Sequence, residues 1–329
     1  MLKEFKGHDA YISKAIYSPN GKHVASCSHD GTIRIWNSEN GECITTLRDG
    51  AESLFSVSYS PKGKHIASCE YGYETKIWNL EEKRCVKKIL NSTIAFCVTY
   101  SPDGNYIAIG CAGSFLEIGI YDIKTTEHIL SLKGHTDWVC ALSYSPDGKY
   151  LASSGDDEIA IIWDAQTGEN LKTLKMDTGC VRSVVYSPDG KYLACGTGTG
   201  HIHIWNTQTT EKILSLTGHT DIIKGLTYSS DGKYLFSGSY DKSIRIWDIN
   251  RGICVSILKG KLDSVLSLNF SPNKRHISIS CWKNSIFILD IYQIPYFMFN
   301  MFITKLYPKF EAKIAAKIRQ YIGVKYTFP

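Results

Sequence analysis

A repeat of about 42 residues fills the first 290 positions of the 329-residue chain. Each copy ends in an apolar segment whose last residue recurs at a nearly constant spacing, at Trp36, Trp78, Tyr121, Trp163, Trp205, Trp247 and Leu289. A period between 20 and 50 residues decides the fold before any local pattern does, because each copy forms a unit that must stack on its neighbours. Seven phased copies therefore predict a repeat architecture.

Each copy has the pattern of short antiparallel strands. β-Branched and aromatic residues alternate with polar ones, and turn-forming residues interrupt the alternation every 8 to 12 residues or so. The turn after the first strand reads Pro19-Asn20-Gly21, and related triplets occur in phase at residues 61–63, 102–104, 146–148, 188–190 and 230–232. Pro presets φ, Asn or Asp bonds to its own backbone, and Gly accepts a positive φ. The seventh copy has Lys274 in place of Gly, so we expect a distorted turn there.

The two ends of the repeat carry a family resemblance. Three copies open on Gly-His and close on Trp-Asn or Trp-Asp, at Gly7-His8 with Trp36-Asn37, Gly134-His135 with Trp163-Asp164, and Gly218-His219 with Trp247-Asp248. The chain resembles the WD-repeat β-propellers. The resemblance implies an all-β fold, a seven-bladed propeller of four-stranded antiparallel blades around a central channel. Each sequence repeat would supply the outer strand of one blade and the three inner strands of the next.

This offset between repeat and blade suggests how the ring closes. Leu2 to Phe5 precedes Gly7-His8 just as residues 129–132 precede Gly134-His135. We therefore expect the N-terminal segment to form the outer strand of the last blade. The competing candidate is Tyr296–Met301, which follows the last repeat.

Three copies contain a Ser, a His and an Asp that individually look like a hydrolase triad. Each His precedes its Ser by 18 positions and its Trp by 28, and three identical sets indicate a feature of the fold. The resemblance implies a buried hydrogen-bond chain in each blade, in which Trp donates to Ser, Ser to His and His to Asp. These structural networks are His8, Ser26, Asp30 and Trp36; His135, Ser153, Asp157 and Trp163; and His219, Ser237, Asp241 and Trp247.

The other four copies lack these networks. Copies two, five and seven have Gly50, Asp177 and Lys261 at the His position and Gly72, Thr199 and Lys283 at the Asp position, and copy three has neither residue in phase. We expect those blades to depend on apolar packing. The three complete blades should be the most rigid.

Two further patterns look like chemical sites. His201 and His203 have a spacing that can serve a metal, but the pattern places no further ligand beside them. His203 also occupies a position that predicts an exposed blade surface, since other copies hold Arg34, Lys76 and Arg245 there. Residues 196–200 alternate Gly and Thr like a phosphate-binding loop, yet no helix follows them. The sequence predicts no metal site, no catalytic residue and no cofactor.

The cysteines and the apolar segments indicate the compartment. The eleven cysteines are odd in number and include no Cys-x-x-Cys pair, which favours reduced packing residues. The segment Met1 to Phe5 lacks the apolar run of a secretory signal, and polar residues interrupt the most apolar stretch, Ile286–Ile303. We expect an intracellular protein, cytoplasmic or nuclear, without a signal peptide or transmembrane segment.

Two loop sets point to a binding surface. The resemblance implies that partners bind on the face that carries the loops before the first strand and those between the second and third strands. We call this surface the loop face, and its predicted partner-binding residues are Tyr11, His29, Tyr71, Trp138, Asp156, Ile222, Tyr240 and Trp282. Trp and Tyr are frequent interface hot spots, because they bury a large area at small entropic cost. The alternative is that some of these rings pack only against neighbouring loops.

The formal net charge of +5 resides in the C-terminal tail, because residues 291–329 hold five Lys, one Arg and one Glu. A neutral propeller does not favour nucleic-acid binding, which depends on neutralising phosphates. We expect two parts, a seven-bladed propeller at 1–290 and an aromatic and basic tail at 291–329, with an amphipathic helix over 308–322. The tail could dock on the propeller, contact a partner helix or an anionic membrane surface, or be poorly ordered.

The most consistent hypothesis is a non-catalytic scaffold or adaptor that binds peptides or protein surfaces and assembles a protein complex. Its grounds are the lack of a unique catalytic constellation, the neutral propeller and the aromatic loop face. One alternative is an enzyme that uses the central channel, which would need inward-pointing His, Asp or Glu residues. Another is the substrate receptor of a ubiquitin ligase. Its family motif, Trp-Asp followed two residues later by Arg, is missing after Trp163 and Trp247.

Overall fold

The computed structural model describes residues 2–113, 116–294 and 325–327. Its regular structure is almost entirely β-strand, arranged in seven sheets, and each sheet contains four antiparallel strands. Alternating apolar and polar residues explain the strands, because successive side chains then point to opposite faces of a sheet. The predicted seven-bladed β-propeller is therefore confirmed.

The strands follow one another in chain order, and each blade uses four of them. The first strand, β1 (Leu2–Lys6), belongs to the last blade. Blades 1 to 3 contain β2 (Ile12–Tyr17), β3 (His23–Ser28), β4 (Ile33–Asn37) and β5 (Cys43–Leu47); β6 (Leu54–Tyr59), β7 (His65–Glu70), β8 (Glu74–Asn79) and β9 (Arg84–Leu90); and β10 (Ile94–Tyr100), β11 (Tyr106–Ala112), β12 (Glu117–Asp122) and β13 (His128–Lys133).

Blades 4 to 7 repeat the arrangement. They contain β14 (Val139–Tyr144), β15 (Tyr150–Gly155), β16 (Ile159–Asp164) and β17 (Asn170–Lys175); β18 (Val181–Tyr186), β19 (Tyr192–Thr197), β20 (Ile202–Asn206) and β21 (Lys212–Leu216); β22 (Ile223–Tyr228), β23 (Tyr234–Ser239), β24 (Ile244–Asp248) and β25 (Ile253–Lys259); and β26 (Val265–Phe270), β27 (His276–Cys281), β28 (Ser285–Asp290) and β1. A last strand, β29 (Lys325–Thr327), pairs in parallel with β25.

The seven sheets form a closed ring. The innermost strand of each blade contacts the innermost strands of its two neighbours, and β2 of blade 1 contacts β26 of blade 7. The outer position of blade 7 is filled by β1, which pairs antiparallel with β28 in the register Leu2 to Leu289 and Phe5 to Ile286. This confirms closure by the N-terminal segment. The competing segment, Tyr296–Met301, lies outside the described residues.

The core lies between blades. The cluster between blades 1 and 2, for example, packs Ile33 and Leu47 of the first against Leu54 and Ile66 of the second, all fully buried or nearly so. Each sheet thus becomes stable only when its neighbours cover both faces, as expected for a repeat protein.

The turn at Lys274 differs from the expectation. Its amide donates to the carbonyl of Ser271 at 3.0 Å, much as that of Gly21 donates to Ser18 at 2.8 Å in the first copy. Lys274 has a φ of 62°, close to the 71° of Gly21. The expectation of a distorted turn was wrong, because Lys274 adopts the left-handed backbone conformation that glycine has at this position in the other copies.

The start of the C-terminal tail packs on the propeller. A 3-10 turn spans Ile291–Gln293, and Ile291 and Ile294 are buried in the apolar cluster shared by blades 6 and 7. The predicted helix over 308–322 lies outside the described residues. Within the part that the structure describes, no helix is both long and apolar enough to cross a membrane.

Candidate functional site

Every innermost strand contains a β-bulge near its start. In blade 1 the register with the next strand shifts between Ile12 and Lys14, and the same shift recurs in the other six blades. One residue per blade is thereby left out of the ladder, and such bulges re-aim side chains. These seven residues, which we call the channel ring, are Ser13, Phe55, Phe96, Cys140, Arg182, Lys224 and Leu266. All seven line a cavity of about 330 Å³ at the mouth of the central channel.

The predicted loop-face residues lie at the same end of the ring. The two loop sets are joined by backbone hydrogen bonds that continue the bulged ladder, since the amide of His29 donates to Tyr11, that of Asp156 to Trp138 and that of Tyr240 to Ile222. The amides of Tyr71 and Trp282 bond in the same way to Ser53 and Ser264. The regular backbone thus holds all eight predicted residues around one rim.

Four of the eight form one aromatic cluster. Tyr11 lies between His29 and Trp282, with ring centroids 3.8 and 4.7 Å apart, and both pairs are stacked. Tyr240 meets the Trp282 ring edge-on at 6.0 Å. All four residues line the cavity, and Trp282 remains 49% exposed. The cluster is therefore both ordered by its own contacts and open to a partner.

Two residues of the channel ring extend this cluster. The centroid of the Phe55 ring lies 5.4 Å from that of His29 and 5.1 Å from that of Phe96. The Phe96 and Trp138 ring centroids are 6.1 Å apart. Tyr71 joins through Phe55. Neither Phe is among the residues predicted for the loop face, because a bulge re-aims each of them out of the regular alternation of its strand. A usable signal was present, since both lie four residues before the Tyr that ends the first strand of their copies.

The other side of the channel ring is cationic. The Arg182 Nε lies 3.0 Å from the Asp156 carboxylate, which also lies 3.2 Å from the Cys140 Sγ. The Lys224 Nζ lies 5.0 Å from the centroid of the Phe96 ring, and burial lowers the pKa of this ammonium. Asp156 therefore compensates the charge of Arg182, a role that its predicted place on the face did not suggest. Ile222 makes no aromatic contact within the described residues and takes part only through its backbone.

The three complete networks have nearly identical geometry. In blade 4 the Trp163 Nε1 donates to the Ser153 Oγ at 2.8 Å, the His135 Nε2 lies 2.7 Å from that oxygen, and the His135 Nδ1 lies 2.8 Å from Asp157. In blades 1 and 6 the corresponding distances are 2.7 or 2.8 Å. The Ser oxygens are buried and already engaged twice, which leaves them unsuited to act as nucleophiles.

The Asp at the end of each network is held as a carboxylate. Burial alone would raise the pKa of Asp30, but the hydrogen bonds from His8 and Thr32 outweigh it, and the pKa lies well below its ordinary value. The same balance lowers the pKa of Asp157 and Asp241. These carboxylates are therefore structural ionic groups that stabilise the loops they join.

Blade 2 replaces the network with an ion-pair cluster. Trp78 still donates to Ser68 at 2.9 Å, but Lys76, only 3% exposed, lies 3.1 Å from the Glu70 carboxylate and 3.5 Å from that of Asp49. Blade 2 thus adds buried ion pairs to the apolar packing that we expect of it. The predicted exposure of the Lys76 position was wrong, because the neighbouring carboxylates compensate a buried charge.

In blade 5 the predicted exposure of the His203 position was wrong too. His203 is 3% exposed and bonds to Thr178 at 2.8 Å and to Ser215 at 3.1 Å, and burial lowers its pKa to about 4. His201 stacks beside it, with ring centroids 6.4 Å apart. Among the described residues, no three His, Cys, Asp or Glu side chains are grouped to hold a metal ion.

The Gly-rich segment of blade 5 is a strand connection. The Thr197 amide donates to the carbonyl of His201 at 2.9 Å. Gly200 has a φ of 83°, and a Cβ there would lie 2.5 Å from the carbonyl oxygen of His219. Its glycines thus serve close packing between blades 5 and 6.

Comparison with known sequences adds the family. Six stretches of the chain match the model described as WD domain, G-beta repeat: residues 1–37, 41–79, 126–164, 168–206, 210–248 and 252–290. These matches cover well over half of the chain. The third copy lies between them and still forms a complete blade.

The curated relatives share about half of the chain. It is 41% identical over 163 residues to the small ribosomal subunit protein RACK1 of Trypanosoma brucei brucei, a match that covers 47% of this chain and 49% of that protein. It is 27% identical over 183 residues to the nuclear distribution protein nudF of Emericella nidulans, a match that covers 49% of this chain and 41% of that protein. It is 27% identical over 167 residues to the periodic tryptophan protein 2 homolog of Dictyostelium discoideum. That match covers 50% of this chain and 18% of that protein. The chain therefore spans less than half the length of each.

Proposed function

Because the chain belongs to the WD domain, G-beta repeat family, we propose that it is a non-catalytic interaction scaffold that binds a peptide segment or protein surface on its loop face. The single observation that carries the proposal is the continuous run of ring contacts from Tyr240 through Trp282, Tyr11 and Phe55 to Trp138. A rim of partly exposed aromatic rings around a concave mouth supplies the anchors that interface hot spots use.

The chemistry of the site supports binding over catalysis. Among the described residues, those that line the cavity include the cations Lys14, Arg182 and Lys224 and one His, which is stacked on Tyr11, but no Asp or Glu. General acid and base chemistry most often uses a His or a carboxylate within reach of the reacting group. The Ser-His-Asp sets are engaged in the blades, so they support stability.

A role in a larger assembly agrees with the relatives. The name of one places it in the small ribosomal subunit. We propose that this chain likewise holds partners in a protein complex inside the cell, in the cytoplasm or nucleus. All eleven cysteines are free thiols, which suits a reducing compartment.

The test is affinity capture from native extract, with partners identified by mass spectrometry and compared between the parent and a variant carrying Trp138→Ala and Trp282→Ala. These residues are 46% and 49% exposed, so the fold should survive their truncation. Loss of one hot spot commonly costs 2 kcal/mol or more, about thirtyfold in affinity. We expect the variant to lose its partners while melting like the parent.

The matched control carries Tyr106→Ala and Tyr150→Ala. These rings are each 39% exposed and begin the second strands of their blades, at the opposite end of the ring. The control should retain every partner. Retention of all partners by the loop-face variant would remove that face from consideration.

A further inference from the structure

The channel ring is divided into two chemically different sides. Phe55 and Phe96 come from blades 2 and 3, whereas Arg182 and Lys224 come from blades 5 and 6. The bulge register places all four side chains in the wall of the same cavity. A segment bound at this mouth would therefore face aromatic rings on one side and cations on the other.

Among the described residues, no carboxylate lies within ion-pair distance of the Lys224 ammonium, and Asp156 acts on it only from farther away. Arg182 has Asp156 as its ionic partner, and the Lys14 Nζ donates to the Ser56 Oγ at 3.2 Å. In the described part of the chain, the contact of the Lys224 ammonium is the face of Phe96, and no ion pair or hydrogen bond joins its Nζ to another residue. A partly buried cation without an ion-pair partner is costly, so the mouth is poised to accept an anion.

Resting on the proposed function, we propose that the bound segment inserts an anionic side chain into the channel mouth, where Lys224 and Arg182 receive it. The chemical class is a carboxylate or a phosphate monoester on a protein segment. Apolar neighbours of that side chain would lie on Trp282, Tyr11 and Phe96.

Three physical points favour this ligand. A cavity of about 330 Å³ has room for a side chain. Charge-assisted hydrogen bonds to an anion are strongest in a site that excludes water. Asp156 compensates the charge of Arg182 without lining the cavity itself, whereas Lys224 has no ion-pair partner among the described residues.

The experiment selects a random-peptide phage library on the immobilised full chain and sequences the bound peptides. Each selected peptide is then measured against the parent, Lys224→Met and Trp282→Ala. Met keeps the length and apolar stem of Lys but removes the charge. Lys62→Met is the matched control, since Lys62 is exposed in the turn at the opposite end of blade 2.

We expect the selected peptides to share one Asp or Glu position and to lose about tenfold or more in affinity on Lys224→Met, the size of one charge-assisted hydrogen bond. Lys62→Met should bind like the parent. Versions with phosphoserine, Glu, Gln and Ala at the shared position distinguish a phosphate from a carboxylate site. The proposal would be overturned if the phosphoserine and Glu versions both bound more weakly than the Gln version.

The outcomes separate the two proposals. Peptides that depend on Trp282 but carry no acidic position, and bind Lys224→Met as tightly as the parent, contradict the anion site and leave the loop face standing. A selection that yields no peptide dependent on Trp282 contradicts the proposed function and the anion site together.

A second measurement needs no peptide. Inorganic sulfate at constant ionic strength should raise the thermal midpoint of the parent and of Lys62→Met more than that of Lys224→Met. The comparison between variants removes the general stabilisation by sulfate, which acts on all of them. Equal rises in all three proteins would overturn the anion site.

Discussion

The ammonium of Lys224 lies 5.0 Å from the centroid of the Phe96 ring, although the two residues belong to blades 6 and 3 of a seven-membered ring. Blades three apart are nearly opposite, so this contact crosses the mouth of the channel. Each residue is the bulged position of its innermost strand. One local irregularity, repeated around the ring, thus brings together side chains that are 128 positions apart in sequence.

A double-mutant cycle should measure this contact. Lys224→Met removes the charge, and Phe96→Leu removes the aromatic face while keeping an apolar side chain. Because a cation over a ring in a partly desolvated site contributes about 0.5–2 kcal/mol, we expect a coupling energy of that size in denaturant titrations. Single losses that simply add would show that the two residues do not interact.

Deletion of residues 1–6 should open the ring. It removes β1 and exposes the edge of β28, and an unpaired strand edge is a template for association. Blades 7 and 1 would then be joined through contacts such as those of Ala15 with Ser267 and Tyr17 with Asn269. We expect a lower thermal midpoint in calorimetry and self-association in sedimentation. An unchanged melting curve would contradict closure by β1, and truncation after Ile294 is the control.

Asp157→Ala should destabilise blade 4 by about 1–3 kcal/mol, because it leaves the buried His135 and the Thr136 amide without their shared acceptor. The control is Lys283→Ala, at the same phase of blade 7 in a copy without the network. This side chain is exposed, so its loss should cost much less. Denaturant titration compares the two, and equal losses would refute the structural role of the network.

His203 should make stability fall as the pH drops from 6.5 towards 4. Burial lowers its pKa from 6.5 to about 4, so in this window the unfolded chain binds a proton that the folded protein does not. The shift corresponds to about 3 kcal/mol, reduced to about 1–2 by solvent screening. His203→Gln keeps polar atoms near Thr178 and Ser215 without titrating. Its stability should depend less on pH in this window, and curves parallel to the parent's would contradict the assignment.

Lys76→Met should destabilise blade 2 by about 3 kcal/mol at neutral pH. The substitution removes the buried cation that pairs with Asp49 and with Glu70, and the mostly buried Glu70 carboxylate is then left without an ionic partner. The loss should shrink on acidification, as the carboxylates become protonated. Lys88→Met is the control, since Lys88 pairs with Asp49 and Glu74 from a much more exposed position. Equal losses in urea titrations would show that burial of Lys76 does not matter.

The sequence alone determined the number of copies and the phase of the strands. With the family resemblance it predicted seven blades, and it favoured ring closure by the N-terminal segment over closure by Tyr296–Met301. These follow from one period, because the same apolar positions must be buried in every copy and the N-terminal segment is in phase with the Gly-His that follows it. The hydrogen-bonded order of Trp163, Ser153, His135 and Asp157 agrees with what the family resemblance implied. Equal spacings in three copies placed those residues at equivalent positions of equivalent blades.

Only the tertiary structure decided which side chains meet at the channel and which charges are compensated. A bulge shifts one residue out of a strand's alternation, and a simple period of two does not show where that happens. Phe96 and Lys224 are such residues, and both line the cavity. Whether Lys76 and His203 are exposed depends likewise on neighbours from other segments, Asp49 and Thr178. Burial and charge pairing arise from contacts between distant parts of the chain, and a local pattern does not contain them.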